Sequence, residues 1–329
     1  MKKVVLLLLV AIILAFPGVV SAQLLTGDFI DIRGHWAVQD IEAVSSLGLM
    51  NGTGTTDQGF RVFSPEGTVN RAQLAAVLQR TFQLDYGQIR FIKQPLASDY
   101  YQDVDNGAWY ADDLVMCAIN NIFAASGDFC PDLPVTRLEI AQAIYRCFNT
   151  KGISVPMIMM MPIFQDTNSL SHEDINAIVF VNNTGIMKGN NNYFRPEENM
   201  TRAELATVLK RCVSLMAVDE YYNGKEYQVS VGQTFFVSLS SNPTTGYTWN
   251  IKSTVDDKIL ALIDHSYQTV DTKYPPIVGQ GGQQYWQFKV LQPGTADLQL
   301  VYARPWESVQ PAQVFNLKII AKPAVSICK

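Results

Sequence analysis

The sequence predicts a multidomain protein in which all-α helix-loop-helix repeats are followed by an all-β domain with the pattern of a β-sandwich. In the first part, one pattern with helical spacing of apolar residues recurs three times between residues 27 and 215. Between residues 227 and 322, seven or so short runs rich in β-branched and aromatic residues alternate with Gly, Pro and Asn turns. The length of 329 residues and the apolar share of 48% are sufficient for separate cores.

The first 22 residues have the pattern of an export signal. Two lysines, the apolar run 4–16, a Pro-Gly break and the small residues Val20-Ser21-Ala22 follow one another, which predicts cleavage after Ala22. An uncleaved run would instead act as a membrane anchor, although it is short for a bilayer span. We therefore expect a secreted protein of the cell envelope.

Composition argues against several classes of function. The formal net charge of -5 and the pI near 5.3 do not suit a nucleic-acid partner, which requires a basic face. The three histidines are scattered and no Cys/His pair has metal-ligand spacing, so we expect no metal, no cofactor and no enzyme activity. A hydrolase that uses the paired carboxylates Asp256 and Asp257 is a poor alternative, because adjacent residues on a strand point to opposite faces.

Five cysteines lie after the export signal, and an odd number leaves at least one of them unpaired. A disulfide between Cys117 and Cys130 is one alternative, since it would close a short loop within one repeat. The other alternative is that these are buried thiols, which pack as small apolar groups. Cys147 and Cys212 occupy the same position in two repeats, which indicates burial rather than catalysis.

Two signatures define each helical repeat, and we place the repeats at 27–84, 99–150 and 162–215. The first signature is an aromatic-x-Asp opening followed by a Trp or, in the third copy, a His: Phe29-Asp31-Trp36, Tyr101-Asp103-Trp109 and Phe164-Asp166-His172. The second is a Phe-x-Pro that leads at equal spacing to an arginine: Phe63 to Arg71, Phe129 to Arg137, and Phe194 to Arg202. Each arginine lies in a capping box or close to one, so Asn70, Thr136 and Thr201 are predicted to begin helices.

An arginine in the first turn of a helix is unfavourable, because a cation there opposes the helix dipole at a cost of about 0.3–1 kcal/mol. Its recurrence in three copies predicts a negative partner. One alternative is a carboxylate of the protein, either the opening Asp or Glu66 and Glu197. The other is an external anion, held between the arginine and the free N–H groups of the helix start.

At these residues the repeat resembles the S-layer homology (SLH) module, which opens with Phe-x-Asp and Trp-Ala and closes with Thr-Arg-Ala-Glu. The resemblance implies a pseudo-three-fold assembly at the cell-wall surface, whose grooves bind secondary cell-wall polysaccharide carrying pyruvate ketals. By this resemblance three sets of residues line the grooves: Asp31, Trp36 and Arg71; Asp103, Trp109 and Arg137; Asp166, His172 and Arg202. Because a His replaces the Trp in the third set, we expect unequal grooves.

After a linker at 216–226, the β domain at 227–322 carries three loop motifs. They are Asn242-Pro243-Thr244-Thr245-Gly246-Tyr247, Gly279-x-Gly281-Gly282, and Arg304-Pro305-Trp306. Pro243 fixes φ and Gly246 permits the positive φ that a tight reversal needs, which predicts a stiff loop. Alternate loops of a sandwich cluster at one end, so we expect the three motifs to form one edge.

Together the three motifs resemble the chagasin family of cysteine-protease inhibitors. The resemblance implies an immunoglobulin-like domain whose edge enters the cleft of a papain-like protease. Thr244 would reach toward the catalytic Cys/His pair, supported by Tyr247, and Gly281 and Gly282 would lie against the non-primed side. On the opposite wall of the cleft, Trp306 would stack and Arg304 would form hydrogen bonds.

The two resemblances together predict a cell-wall-anchored inhibitor of papain-like cysteine proteases. The alternative is a structural S-layer or adhesion protein whose sandwich mediates surface contacts without inhibiting a protease. The loops distinguish the two, because a lattice contact does not require three convergent motifs.

Overall fold

The structure is a computed structural model that describes residues 29–86, 91–124, 127–153, 155, 157, 160–252, 256–269, 281–307 and 309–323. The predicted export signal at 1–22, Gly279 and Cys328 lie outside these residues. None of the helices in the described ranges combines the length and the apolar content that a bilayer crossing requires.

The described part of the N-terminal region forms six α-helices, two for each predicted repeat. These are α1 (Val38–Ser46), α2 (Arg71–Phe82), α3 (Ala111–Ile119), α4 (Arg137–Thr150), α5 (His172–Asn183) and α6 (Arg202–Met216), with a small hairpin of β1 (Gly54–Thr55) and β2 (Arg61–Val62). The capping boxes predicted at Asn70, Thr136 and Thr201 are present, and each begins a helix. Ser171 forms a further capping box with Asp174, and this box begins α5 at His172.

The helices pack across the repeats. Helix α2 contacts α3, α4 contacts α5, and α6 contacts α1, so the second helix of each repeat lies against the first helix of the next. Phe148 of α4 contacts rings of two other helices, with its centroid 5.3 Å from that of Phe82 in α2 and 5.2 Å from that of Phe180 in α5. The buried side chains of all three repeats belong to one hydrophobic core.

Three short segments before α2, α4 and α6 close a ring of backbone hydrogen bonds. The N–H of Val69 donates to Met200 O (3.0 Å), that of Met200 to Val135 O (3.1 Å), and that of Val135 to Val69 O (2.9 Å). All three side chains are buried. The ring therefore holds the starts of the three second helices around one centre.

The described C-terminal residues form seven strands in two sheets. The strands are β3 (Lys225–Ser230), β4 (Thr234–Ser241), β5 (Thr248–Ile251), β6 (Leu260–Thr269), β7 (Gly282–Val290), β8 (Gly294–Ala303) and β9 (Gln313–Lys322). One sheet has the order β3-β9-β8-β5 and the other β4-β7-β6; β3 and β9 are parallel and the other pairs antiparallel. Both sheets contribute to one apolar core that includes Trp249, Trp286 and Phe315.

Asp256 and Asp257 lie before β6 in a turn, where the expectation was a strand. The carboxylate of Asp256 accepts a hydrogen bond from the N–H of Lys258 at 3.1 Å. This bond gives Asp256 an ordinary role in turn formation.

The linker predicted at 216–226 is packed at its start. Val218 is fully buried and pairs in parallel with Val237 of β4, since its N–H donates to Phe236 O (2.8 Å) and its carbonyl accepts from Ser238 (2.9 Å). Phe236 itself belongs to the helical core. The helical and β parts are thus joined by backbone hydrogen bonds and a shared apolar contact.

The disulfide alternative for Cys117 and Cys130 is wrong, because both are free thiols. Cys117, Cys147 and Cys212 are completely buried, as expected for the last two. Burial raises the pKa of all three thiols, so they remain protonated and pack as apolar groups.

Candidate functional site

The segment Asn242–Gly246 forms a turn that is tied together by its own side chains. Pro243–Thr245 make one short helical turn, and the Thr245 hydroxyl donates to Asn242 O at 2.7 Å. The exposed Thr244 hydroxyl donates to Asn242 Oδ1 at 2.6 Å, and Gly246 ends the turn with a φ of 82°. The predicted stiff loop is therefore present, with Thr244 at its exposed tip.

Arg304 joins this turn to the loop after β8. Its Nε donates to Thr245 O at 3.1 Å, its guanidinium lies 4.5 Å from the centre of the Tyr247 ring, and its Nη1 donates to Glu307 at 2.8 Å. The hydrogen bond with Glu307 raises the pKa of Arg304. The arginine is thus a support of the loop, and its expected hydrogen bonds to a protease stay a prediction.

Trp306 lies directly on Gly246. A Cβ atom added at Gly246 would come within 2.7 Å of the Trp306 ring, yet 70% of the Trp306 side chain is exposed. The glycine is therefore needed for two reasons, its positive φ and the space that the indole ring occupies. Behind it, the Tyr247 ring packs against Tyr302 at 5.4 Å, and the Tyr302 hydroxyl accepts from Asn242 N at 2.9 Å.

The glycine motif that ends in Gly281 and Gly282 lies beside the start of the Asn242–Gly246 turn. A Cβ added at Gly281 would lie 3.3 Å from Ser241 O and 3.9 Å from the Asn242 Cβ. Gly282 is paired with Ser241 at the end of the β4–β7 ladder. Thr244, Gly281 and Trp306 consequently lie at one end of the β domain, as the sequence predicts, whereas Gly279 is outside the described residues.

Gln284 is a site residue that the motifs do not reveal. Only 2% of its surface is exposed, and its Oε1 accepts hydrogen bonds from Ser241 Oγ (2.8 Å), Thr248 Oγ1 (3.2 Å) and Trp249 N (2.9 Å). These three partners are the residues that enter and leave the Asn242 turn. Its signal in the sequence is the period of two that places Gln284 on the same face of β7 as Trp286.

In the helical region, the opening aspartates fix the loop of their own repeat. Each carboxylate accepts two backbone N–H groups: Asp31 from Phe63 (2.9 Å) and Ser64 (2.6 Å), Asp103 from Phe129 and Cys130 (both 2.7 Å), and Asp166 from Phe194 (3.0 Å) and Arg195 (2.7 Å). For Asp103, burial opposes ionisation, but the two N–H groups prevail and lower its pKa.

Two of the three repeated arginines are buried, with 7% of Arg137 and 6% of Arg202 exposed. Their Nε and Nη2 groups donate to backbone carbonyls: Arg137 to Phe194 O (3.0 Å) and Lys188 O (3.2 Å), Arg202 to Phe63 O (2.8 Å) and Asn51 O (2.7 Å). Burial lowers the pKa of both groups. Backbone carbonyls thus bind Nε and Nη2 of both arginines, and an opening aspartate supplies negative charge nearby, Asp166 for Arg137 and Asp31 for Arg202.

The helix starts are also occupied, so the expectation of free N–H groups there is wrong. The N–H of Arg71 donates to Leu133 O (3.0 Å), that of Arg137 to Glu198 O (2.9 Å), and that of Arg202 to Gly67 O (2.8 Å). In each case the acceptor lies in the loop of the next repeat, because the second helix of one repeat packs beside that loop.

Arg71 differs from the other two arginines. Its Nη1 donates to Glu139 at 2.8 Å, whereas its Nε is buried and has no hydrogen-bond partner among the described residues. It borders a cavity of about 180 Å³ that is also lined by Ile122, Glu139 and Arg146. The three expected grooves are therefore unequal in their arginines as well as in His172.

The expected grouping of groove residues within one repeat is wrong. Arg71 lies over the Phe129 ring (5.0 Å), Arg137 over Phe194 (5.2 Å) and Arg202 over Phe63 (4.5 Å), and each of these rings belongs to the next repeat. Each opening aspartate is consequently near the arginine of the preceding repeat: Asp31 near Arg202, Asp103 near Arg71 and Asp166 near Arg137. Packing of helices across repeats is the physical cause.

The two tryptophans before the first helices are on the surface. Trp36 is 63% exposed and Trp109 is 64% exposed, and His172, the first residue of α5, is exposed at the matching place. Large exposed aromatic rings are the usual stacking surfaces for a ligand. These residues are therefore free to contact a partner, unlike Arg137 and Arg202.

Two family models match the chain. Residues 228–319 match the model of the chagasin family peptidase inhibitor I42, and residues 28–75 and 169–206 match the S-layer homology domain. The matched ranges fall on the β domain and on the first and third helical repeats.

Individual known proteins are similar to one or the other part of this chain. Chagasin from Trypanosoma cruzi is 34% identical over 93 residues, which cover 27% of this chain and 81% of chagasin. Amylopullulanase from Thermoanaerobacterium thermosulfurigenes is 28% identical over 183 residues, 55% of this chain, and the chain spans only 9% of its length. A solved cysteine protease inhibitor from Entamoeba histolytica is 22% identical with a TM-score of 0.28, covering 32% of this chain and 93% of that chain.

Proposed function

This chain belongs to the chagasin family of peptidase inhibitors and carries S-layer homology domains, and from this we infer that it inhibits papain-like cysteine proteases while attached to the cell wall. In this proposal the chain performs no chemistry of its own. Three loop segments at one end of the β domain support it: the Asn242 turn, Trp306 packed on Gly246, and Gly281 beside Ser241. We also propose that the two sheets form an immunoglobulin-like sandwich, an architecture in which loops gather at one end.

The proposed mechanism is occlusion of the protease cleft. A papain-like protease holds a thiolate and an imidazolium at the base of a cleft whose subsites accept an extended peptide. The Pro243–Thr245 backbone is in a helical turn, so Thr244 approaches the thiolate without offering an extended scissile peptide. Because the turn is already fixed by Asn242 and Arg304, little conformational entropy remains to be lost on binding.

The flanking loops supply the remaining contacts. Trp306 offers a large exposed ring on one side, and on the other side Gly281 allows the protease to approach the backbone, whereas Gly282 is buried in the β4–β7 ladder. Exposed tryptophans are frequent hot spots, whose truncation costs about 2 kcal/mol or more. A preformed edge of this kind suits an interface of roughly 1,600 Å².

Inhibition is tested by adding the full chain to papain and measuring residual peptidase activity. We expect inhibition by the wild type and an inhibition constant about thirtyfold weaker for Trp306→Ala. Tyr221→Ala is the matched control, because Tyr221 is also a highly exposed aromatic residue but lies outside the proposed edge. No inhibition by the wild type at any ratio contradicts the proposal and favours a structural or adhesive role.

For the anchor, we propose that residues 27–84, 99–150 and 162–215 are three SLH units in a pseudo-three-fold arrangement that binds pyruvylated cell-wall polysaccharide. The ring of Val69, Val135 and Met200 supports the arrangement. Trp36 and Trp109 would stack on sugar rings. Arg71, which lines the cavity and is more exposed than Arg137 and Arg202, is the arginine best placed for a pyruvate carboxylate.

The anchor is tested by sedimentation of the full chain with purified walls, with and without pyruvyl groups. We expect retention by pyruvylated walls, and weaker retention of Trp109→Ala than of the Tyr221→Ala control. Equal retention by both kinds of wall overturns the pyruvate proposal and leaves the inhibitor proposal untouched.

A further inference from the structure

Gln284 joins both stems of the Asn242 turn through one buried amide. Its Oε1 accepts from Ser241 Oγ at 2.8 Å on the incoming stem. On the outgoing stem it accepts from Thr248 Oγ1 at 3.2 Å and from the backbone N–H of Trp249 at 2.9 Å. A buried acceptor with three donors is costly to disturb, because each lost partner leaves a polar group without a hydrogen bond.

The orientation of this amide is fixed by chemistry. A backbone N–H can only donate, so Trp249 N requires Gln284 Oε1 to face it. The Gln284 NH₂ group then faces Trp249 O at 3.2 Å and His265 Nε2 at 3.0 Å. His265 Nε2 must therefore accept, which requires the neutral imidazole with its proton on Nδ1.

The surroundings of His265 favour the neutral ring. Its ring stacks on Trp286 with centroids 5.0 Å apart, and burial lowers its pKa below the ordinary value of 6.5 despite the nearby carboxylate of Asp264. Tyr267, on the same strand, has a pKa raised by burial and does not titrate in acid. Helix α1 also contacts β6, and its acidic residues are Asp40 and Glu42. The Asp40 carboxylate accepts a hydrogen bond from the Thr207 hydroxyl at 2.7 Å.

We propose that Gln284 is a positioning residue for the inhibitory turn, and that neutral His265 holds its amide in the working orientation. This rests on the proposed function. When His265 is protonated at Nε2, its N–H faces the NH₂ group of Gln284, and both groups are donors. Rotation of the Gln284 amide by 180° removes this conflict but places the NH₂ group opposite the N–H of Trp249. One donor lacks an acceptor in either orientation, so acid loosens the stems of the turn and weakens inhibition.

The test compares inhibition of papain by the full wild-type chain and by His265→Gln between pH 7.5 and pH 4. Glutamine keeps an oxygen acceptor but does not titrate, and the ratio of the two inhibition constants removes papain's own pH dependence. Loss of one buried hydrogen bond predicts that the wild type weakens about tenfold relative to the variant. His35→Gln is the control, because it removes a histidine of the helical region, and we expect its inhibition constant to change with pH as that of the wild type does. A ratio that stays constant down to pH 4 overturns the proposal.

A second readout does not depend on a protease. We expect hydrogen exchange of the Trp249 amide, corrected for its intrinsic rate, to lose protection in acid in the wild type but not in His265→Gln. Gln284→Met, similar in size but without the amide, loses this protection at every pH. If no chain inhibits papain, the proposed function fails while exchange at Trp249 still decides the role of Gln284. Wild-type protection that does not change with pH overturns the role of His265, and protection that persists in Gln284→Met overturns the role of Gln284.

Discussion

At the scale of single residues, the space above Gly246 decides whether two loops of the proposed edge meet. Its φ of 82° disfavours a residue with a Cβ atom, and the 2.7 Å approach of the Trp306 ring leaves no space for one. Arg304 then holds Thr245 O from the same side. The proposed edge thus depends on the absence of a side chain at Gly246 and on the hydrogen bond of Arg304, as well as on the exposed residues at its tips.

Gly246→Ala should weaken inhibition of papain by about tenfold or more, because the new methyl group displaces Trp306. Gly232→Ala is the matched control, since Gly232 has a φ of 90° but none of the described residues would lie within 4 Å of an added Cβ atom. Both changes place alanine at positive φ at a cost of about 1 kcal/mol, so both lower the melting temperature similarly. Equal inhibition by the two variants would contradict the contact between Gly246 and Trp306.

The Asp103 carboxylate gives a prediction of pH dependence. Since its pKa is below 3.8 in the folded state, it contributes stability above pH 3.8 that is lost as the pH falls through the folded pKa. Asp103→Asn should therefore lower the melting temperature at pH 7 by several degrees, and the difference in melting temperature from the wild type should shrink as the pH falls below 3.8. Asp57→Asn, in an exposed turn, serves as control. A gap independent of pH would refute the role of ionised Asp103.

Residue roles were predictable from the sequence only where they are local. The stiffness of the Asn242 turn follows from Pro243 and Gly246, and both features are observed. The partners of Arg137 and Arg202 are carbonyls of another repeat, and the position of an arginine in the first turn of its own helix carries no information about them.

At the scale of elements, capping boxes and cross-repeat packing act together. The sequence predicts the starts of α2, α4 and α6 from Asn70, Thr136 and Thr201 because a capping box involves only four consecutive residues. The start of α5 was not predicted, although Ser171 and Asp174 carry the same signal. Which helices become neighbours depends on the closed ring of backbone bonds, and local periodicity does not contain that information.

Glu139 and Glu204 offer a test of this coupling. Each completes a capping box, but Glu139 also forms a 2.8 Å ion pair with Arg71 of the preceding repeat. Glu139→Ala should lower the free energy of unfolding by about 0.5 kcal/mol more than Glu204→Ala, measured by urea denaturation of the full chain. The reverse order would show that Arg71 does not depend on Glu139.

At the scale of the whole molecule, the helical region and the β domain are joined by a packed seam. Gln83, at the end of α2, donates to the Thr234 hydroxyl and accepts from Thr234 N at 2.5 Å, and Gln233 donates to Asp85 at 2.9 Å. The sequence predicted a helical part, a β part and the common edge of the loops. It did not predict this seam, because residues 83 and 234 are distant in the chain and neither belongs to a repeated pattern.

The most direct test of a wall-bound inhibitor uses all three components at once. Pyruvylated walls are preloaded with the full chain, mixed with papain and sedimented, and peptidase activity is measured in the supernatant. We predict that papain activity leaves the supernatant with wild-type chain and stays there with Thr244→Trp, although both chains sediment equally with the walls. Papain activity that remains in the supernatant above wild-type-loaded walls would contradict the account.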